Sequence, residues 1–179
     1  MTATSNTDSP ELQLKLRALC DRIGVNYRDA RYVLAHGMVP RGIDSDPGRG
    51  NHRVFNQWEA FWLAIVLKLK SAGVKPKLAA EMAGWSDRVK GLAVNLGWDR
   101  HFSPFDGQLA TENRWYLEVG DAKFVWIRTD ASPSRDQVAD ETGWVDMKTR
   151  KRREDVEPTV IICIDLSQLA GQLLSEIPP

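Results

Sequence analysis

The chain has 179 residues, 42% hydrophobic and 27% charged, which is enough for one domain with a substantial core or for two small ones. It has only two cysteines, without a partner motif, so nothing in the composition calls for disulfides. No apolar run approaches the roughly 20 residues that cross a bilayer, and the first ten residues do not resemble a signal peptide. We therefore expect a cytoplasmic protein with buried cysteines and a flexible tail over residues 1–10.

The charges are unevenly distributed along the chain although the formal net charge is zero. Between Leu12 and Leu78 lie 12 basic and 5 acidic residues, a net charge of +7, so the remaining residues carry −7. A basic segment attracts phosphate, and an acidic neighbour keeps the whole chain soluble. The charge pattern thus favours a nucleic-acid partner for the first half.

Two helices joined by a tight turn are predicted first. Apolar residues at helical spacing indicate a helix over residues 11–22, which Gly24 ends. Asn26 is a suitable N-cap for a second helix that reaches about Ala35 and ends at Gly37. Two helices with so short a connection form a helix-turn-helix.

A basic hairpin and two further helices are predicted next. Residues 38–39 and 53–55 indicate a short two-stranded hairpin with a long tip between them. Asn56 can cap a third helix, whose broad apolar stripe runs to about Gly73 and marks it as core. Pro76 then opens a fourth, short helix.

The second half is predicted to be a small antiparallel sheet with a C-terminal helix. A connector helix and loop cover residues 85–112, where glycine and proline suggest a domain boundary. Gly120 and Asp121 form a two-residue hairpin signal, and an amphipathic helix covers residues 166–177. Strands are predicted over residues 114–119, 123–129, 143–150 and 159–165. The predicted fold class is therefore α+β.

The first two helices carry residue types in a recognisable order. The residues concerned are Gly24, Val25 and Asn26 in the turn, Arg31 and Tyr32 in the second helix, and Gly37, Met38 and Pro40 at its exit. This block resembles, without gaps, the Gly-Val-Ser turn, the Arg-Tyr pair and the Gly-Leu-x-Pro exit of the MerR family of bacterial regulators.

A second gapless block extends the resemblance. Arg53, Phe55, Asn56 and Glu59 are similar to the family's Arg-x-Tyr-Ser-x-x-Asp, and Gly73 and Val74 to its Gly-Phe. The resemblance implies a winged helix-turn-helix over residues 11–84. It also has departures, because the wing tip over residues 42–52 is long and no coiled-coil heptads follow Met82.

The resemblance implies a sequence-specific transcriptional regulator that binds double-stranded DNA, as a homodimer on an inverted repeat. A helix can enter the major groove, where arginine recognises guanine or grips phosphate, and a basic wing reaches flanking phosphates. The candidate residues of the recognition helix are Asn26, Tyr27, Arg28, Arg31 and Tyr32, of which Tyr32 is expected to be partly buried. The candidate residues of the wing are Arg41, Arg49, His52 and Arg53.

Residues 113–179 are expected to supply dimerisation, effector sensing or contact with RNA polymerase or another regulator. His101, Asp106 and Glu112 have neither a nucleophile nor a metal partner at a recognisable spacing, so we predict no enzyme, metal or cofactor. We expect a nucleoid-associated protein. Two alternatives stay open: a phage excisionase-like or architectural DNA-binding accessory factor, and a winged-helix protein-interaction module that does not bind DNA.

Overall fold

Five helices and two antiparallel sheets form the part of the chain that the computed structural model describes, residues 13–40, 43, 53–83, 114–129, 144–149, 151–153 and 155–175. The fold class is α+β, as predicted. The elements are β1 (Gln13–Lys15), α1 (Leu16–Ile23), α2 (Tyr27–Ala35), β2 (Val54–Asn56), α3 (Gln57–Ser71), α4 (Pro76–Ala83), β3 (Trp115–Gly120), β4 (Phe124–Thr129), β5 (Trp144–Asp146), β6 (Arg152–Arg153), β7 (Ile161–Asp165) and α5 (Leu166–Leu174). The predicted tail 1–10 and connector 85–112 lie outside the described residues.

A three-residue turn joins α1 to α2, as predicted. Gly24 adopts a left-handed conformation, with φ of 64°, and its backbone N–H donates to the carbonyl of Cys20. Such a φ is costly for residues with a Cβ, which explains the glycine. At the far end of α2, Gly37 is again left-handed, and the N–H of Met38 donates to the carbonyl of Val33 over 2.9 Å. Both helices thus end where their glycines predict.

The strand over residues 54–56 pairs with a different partner from the one predicted. β2 pairs antiparallel with β1, which sets Leu14 opposite Phe55, both buried. The prediction of a hairpin between residues 38–39 and 53–55 is therefore wrong, since residues 38–39 form no strand. Pro40 follows them directly and has no N–H to donate to a ladder. The prediction that a helix begins at residue 11 also fails, because residues 13–15 alternate exposed, buried, exposed as in a strand.

Helix α3 lies at the centre of the core. Its N-cap is Asn56, which accepts from the N–H of Glu59 over 2.9 Å, while the Glu59 carboxylate accepts from the Asn56 N–H over 3.1 Å. This reciprocal capping box starts the helix where the sequence predicts. Eight of its fifteen residues are buried, and it packs against α1, α4 and α5. No helix within the described ranges combines the length and the apolar run that a membrane crossing needs.

The larger sheet has the strand order β6-β5-β4-β3-β7, and all its pairs are antiparallel. The predicted hairpin of β3 and β4 is confirmed, but its turn is shifted by one residue. Gly120 belongs to β3, and the central turn residues are Asp121 and Ala122, whose φ values of 49° and 50° are those of a type I′ turn. Asp121 also accepts from the N–H groups of Thr159 and Val160. The turn is therefore tied to the segment that leads into β7.

The strand predicted over residues 143–150 ends early, at Asp146. The carboxylate of Asp146 accepts from the N–H of Lys148 over 2.8 Å and from that of Thr149 over 3.0 Å. Such an Asx turn competes with the strand for the backbone, so the chain reverses and returns as β6. Lys123 lies 3.5 Å from the same carboxylate, which is itself almost fully buried.

Acid is expected to destabilise the fold partly through Asp146. The N–H of Thr149, then that of Lys148 and the Lys123 ammonium hold the pKa of this carboxyl below its ordinary 3.8. A lowered pKa contributes stability that is present above about pH 4 and is lost as pH falls through the folded-state value. Urea unfolding at several pH values should therefore show a smaller loss of unfolding free energy below pH 4 in Asp146→Asn than in the native protein. Equal losses in both proteins would contradict this role.

The two halves share one core because α5 packs on both. It contacts β3 and β7 on one side and α1 and α3 on the other, and its buried residues belong to the same cluster as those of α1 and α3. Arg22 on α1 donates from Nη1 to the carbonyl of Leu173 near the end of α5. A cation at a helix C-terminus is favourable, so this contact adds to the apolar docking.

The two cysteines differ in their surroundings. Cys20 is buried on the core face of α1, and burial raises the pKa of its thiol to about 11. Cys163 is exposed on β7, so the prediction that both thiols are buried is wrong for the second. Its strand lies at the edge of the sheet, where alternate side chains face away from the core.

Candidate nucleic-acid interface

Helix α2 presents one face to the core and the other to solvent. Ala30, Val33 and Leu34 are buried. The exposed residues recur at spacings of three and four and form one continuous stripe, as the helical period requires. This stripe, called here the basic face of α2, consists of Arg28, Arg31, Tyr32, Ala35 and His36. It contains three of the five predicted recognition residues, Arg28, Arg31 and Tyr32, and it places the two arginines about one turn apart.

Neither arginine of the basic face has an acidic partner among the described residues, whereas the single acid of α2 does. Asp29 contacts the ammonium of Lys70 on α3 over 2.8 Å. That ion pair directs the carboxylate towards α3, and residues one and two positions from Asp29 on the helix, such as Arg28 and Arg31, do not face it. The two guanidinium groups therefore remain available to a phosphate or to the edge of a base.

Asn26 has a structural task at the start of α2. Its side-chain oxygen accepts from the N–H of Arg28 over 2.8 Å, which makes it the N-cap. The residue is exposed and directly precedes the basic face. Its side-chain NH2 group is thus in a position to donate to a ligand while its oxygen caps the helix.

Tyr27, the first residue of α2, faces α1. It is half-buried, and the guanidinium of Arg17 lies 5.4 Å from the centre of its ring. Tyr27 also packs against the apolar core, so this cation–π contact joins the two helices beside it. Tyr27 therefore helps to set the angle between α1 and α2, and it stands at the border of the basic face.

Tyr32 is more exposed than predicted, with 45% of its surface accessible. Its ring contacts that of His36 at a centroid distance of 4.2 Å and an interplanar angle of 35°, and His36 Nδ1 lies 2.9 Å from the Tyr32 carbonyl oxygen. The sequence prediction missed His36, although its position four residues after Tyr32 places it on the same face. The pair adds two exposed aromatic rings to the basic face, beyond the two arginines.

Of the four residues predicted for a wing, only Arg53 belongs to the described part of the chain. The other three, Arg41, Arg49 and His52, lie outside it. Arg53 is largely packed, with 15% of its side chain exposed. Its Nη2 lies 3.6 Å from a carboxylate oxygen of Glu59, and its guanidinium lies 4.7 Å from the Phe55 ring. These contacts hold β2 against the first turn of α3. The phosphate contact predicted for this residue would be a second role.

Two substitutions of Asn26 should separate its capping role from its place in the interface. Asn26→Ala should lower the free energy of unfolding by about 1 kcal/mol, because the cap is lost. Asn26→Asp keeps an oxygen acceptor and suits the positive end of the helix, so stability should be retained. Its new negative charge should nevertheless weaken duplex binding, which fluorescence anisotropy at low salt would measure. Native affinity in Asn26→Asp would remove Asn26 from the interface.

One surface combines the exposed start of α2, the aromatic pair of Tyr32 and His36, and two arginines that have no acidic partner within the described ranges. Within the described residues, no group of three or more His, Cys, Asp or Glu side chains is arranged to hold a metal ion. Cationic and aromatic groups of this kind suit an anionic ligand with planar bases better than they suit a small neutral substrate. Comparisons of the chain with protein-family models, curated proteins and solved structures find no match.

Proposed function

We propose that the protein is a sequence-specific regulator that binds double-stranded DNA, with α2 as the recognition helix of a winged helix-turn-helix. The observation that carries this proposal is the basic face of α2, where Arg28 and Arg31 lie exposed and have no acidic partner in the part of the chain that the structure describes, while Asp29 is paired with Lys70.

The surrounding elements support a winged helix-turn-helix. The tight turn at Gly24 sets α2 directly after α1, and their buried faces meet the central helix α3. The chain then passes through the basic segment 41–53 and returns as β2, which pairs with β1 next to α1. A ladder at that position would hold the base of a wing beside the recognition helix.

The dimensions of α2 suit the major groove. A helix is about 10–12 Å across with its side chains, which fits the roughly 12 Å width of the major groove, and nine residues give α2 a length of about 13 Å within it. Arg28 and Arg31 are one turn apart, so they can contact adjacent base pairs or one base and its phosphate. Tyr32 and His36 would lie further along the groove, where their rings can contact a thymine methyl group or a sugar.

The regulatory role follows from the resemblance to the MerR family together with this surface. We propose a cytoplasmic, nucleoid-associated homodimer on an inverted repeat, in which the C-terminal sheet contacts a partner such as RNA polymerase. Because α5 packs on α1 and α3, a ligand or partner at the sheet would act on the same core that positions α2. The relatives that the resemblance implies commonly bend their operator DNA. A partner at the sheet that acts on the position of α2 would then change the bending of the DNA.

Selection from a pool of randomised duplexes tests the proposal. The expected result is an enriched motif with two-fold symmetry, whose half-sites are separated by about one helical turn of DNA or a multiple of it. Footprinting on the selected duplex should then protect two adjacent turns. Binding without any enriched motif would favour an architectural accessory factor and would contradict sequence-specific regulation.

A further inference from the structure

His36 is the C-cap residue of α2, and its ring is held by the backbone of its own helix. Nδ1 of the imidazole lies 2.9 Å from the carbonyl oxygen of Tyr32, which also accepts from the backbone N–H of His36 over 3.2 Å. The Tyr32 ring lies beside the imidazole at a centroid distance of 4.2 Å. These contacts orient the ring, so that its two nitrogens have different surroundings.

The contact with the Tyr32 carbonyl decides which nitrogen of His36 carries a proton. A carbonyl oxygen only accepts hydrogen bonds, so Nδ1 must be the donor. In a neutral imidazole one nitrogen carries the proton and the other a lone pair, and the lone pair is therefore on Nε2. His36 is exposed, and Nε2 lies on the side of the ring away from the helix backbone. The neutral ring thus presents an acceptor to a ligand on the basic face, whereas the protonated ring presents a charged donor.

The charged groups that α1 and α3 present to α2 lie near its start, away from His36. Lys70 of α3 pairs with Asp29, and Arg17 of α1 lies over the ring of the first residue of α2. The segment that follows the helix, residues 37–40, has no charged side chain. The charged residues that share a face with His36 are the two arginines of the basic face. Within the described ranges, no carboxylate pairs with His36, so none competes there with an anionic ligand for the protonated ring.

We propose that His36 is a further contact of α2 with duplex DNA, and that its Nε2 donates to a backbone phosphate when the ring is protonated. The first residues of a recognition helix contact the bases, which leaves its last residue closer to the phosphates. A phosphate oxygen is an anionic acceptor, so the Nε2 lone pair opposes it and the Nε2–H of the imidazolium binds it. Histidine is the side chain whose charge ordinarily changes between pH 5 and 8. DNA binding would therefore take up a proton, and affinity should fall as pH rises through this range.

The inference rests on the proposed function, because it adds a contact to the proposed recognition helix. Fluorescence anisotropy with the selected duplex tests it at about pH 5.5 and about pH 8, on either side of the ordinary titration of histidine. The variant is His36→Gln, whose side chain is neutral at both pH values. The native protein should bind about tenfold more tightly than the variant at the lower pH, and about equally at the higher. At the lower pH the native salt slope should also be steeper than that of the variant by about 0.9.

The ratio of native to variant affinity removes the effect of other histidines, because His52 and His101 are present in both proteins. The matched control is His101→Gln, which changes a histidine outside residues 11–84 and should bind like the native protein at both pH values. A ratio for His36→Gln that does not change with pH, or an equal loss in the control, would overturn the inference and leave DNA binding by α2 intact. A native protein that binds duplex at neither pH would overturn both proposals.

Nitrogen-15 NMR of the imidazole in the native protein gives a second readout that does not depend on how a variant folds. In the free protein at about pH 8, Nδ1 of His36 should carry the proton and Nε2 the lone pair. Addition of duplex at about pH 6.5 should increase the protonated fraction of Nε2. A proton on Nε2 in the free protein at the higher pH, or His36 resonances that duplex does not change, would overturn the inference.

Discussion

Replacing Arg28 and Arg31 together by alanine is expected to lower the affinity for the selected duplex by about 100-fold or more. Each arginine that recognises a base or grips a phosphate contributes about 1–3 kcal/mol, and 1.4 kcal/mol corresponds to a factor of ten. Both side chains are exposed and make no ion pair among the described residues, so the fold should lose little when they are shortened. Fluorescence anisotropy with labelled duplex measures the loss, and thermal unfolding checks the fold.

The single variants and a matched control complete this prediction. Arg31→Ala should relax the preference at one base pair if it contacts a base, whereas loss of a phosphate contact weakens binding to all duplexes alike. Lys148→Ala with Lys151→Ala removes the same charge from exposed positions in the C-terminal sheet, and it should leave affinity nearly unchanged. If this control variant lost as much affinity as the arginine variant, binding would depend on overall charge and not on α2.

Gly120→Ala is expected to destabilise the fold by about 3 kcal/mol, the upper part of the range for overpacked sites. A Cβ on Gly120 would lie 2.4 Å from Cγ and 2.7 Å from Cβ of Pro158, and 3.2 Å from Cζ3 of Trp144. The proline ring cannot rotate away, because Asp121 holds the backbone of Thr159 and Val160 by two hydrogen bonds. At about 2–4 °C per kcal/mol, the melting temperature should fall by roughly 6–12 °C.

Gly171→Ala is the matched control for this steric effect. Gly171 lies on α5, and an added Cβ would meet nothing within 4 Å. Alanine is favoured over glycine in a helix by about 1 kcal/mol, so this variant should melt at or above the native temperature. A melting temperature of Gly120→Ala within about 1 °C of the native value would mean that the segment at Pro158 moves freely.

Apart from the start of α1, the helix boundaries could be predicted because capping is a local property. Asn26 and Asn56 accept the hydrogen bonds of the first helical turns, and Gly24 and Gly37 adopt the left-handed conformation that few other residues tolerate. These signals depend on a few neighbouring residues and need no knowledge of the tertiary fold. The hairpin of β3 and β4 was predictable for the same reason.

The pairing of strands that lie far apart in the sequence could not be predicted in the same way. The pairing of β1 with β2 joins residues about forty positions apart, and Leu14 fits a helical pattern with Leu16 and Leu19 as well as it fits a strand. Only the buried position of Leu14 opposite Phe55 decides between these possibilities. Likewise the docking of α5 on α1 depends on packing between distant segments, which apolar periodicity alone does not specify.

The candidate interface was predicted in its position but not in its detail. Helical spacing suffices to set Arg28 and Arg31 on one exposed face, and the same spacing could have added His36. The pairing of Asp29 with Lys70 and the packing of Arg53 against Glu59 and Phe55 involve neighbours on α3 and β2. Such contacts decide which charges stay available, and they emerge only once the elements are assembled.

The central claim is that the basic face of α2 binds duplex DNA, and the salt dependence of binding to random duplex tests it most directly. The native protein should bind at low ionic strength, and the logarithm of its association constant should fall linearly with the logarithm of salt concentration. The slope should become shallower by up to about two units in the variant without Arg28 and Arg31, at about 0.9 per phosphate contact. A native protein that fails to bind random duplex at low salt, or a variant with an unchanged slope, would contradict the claim.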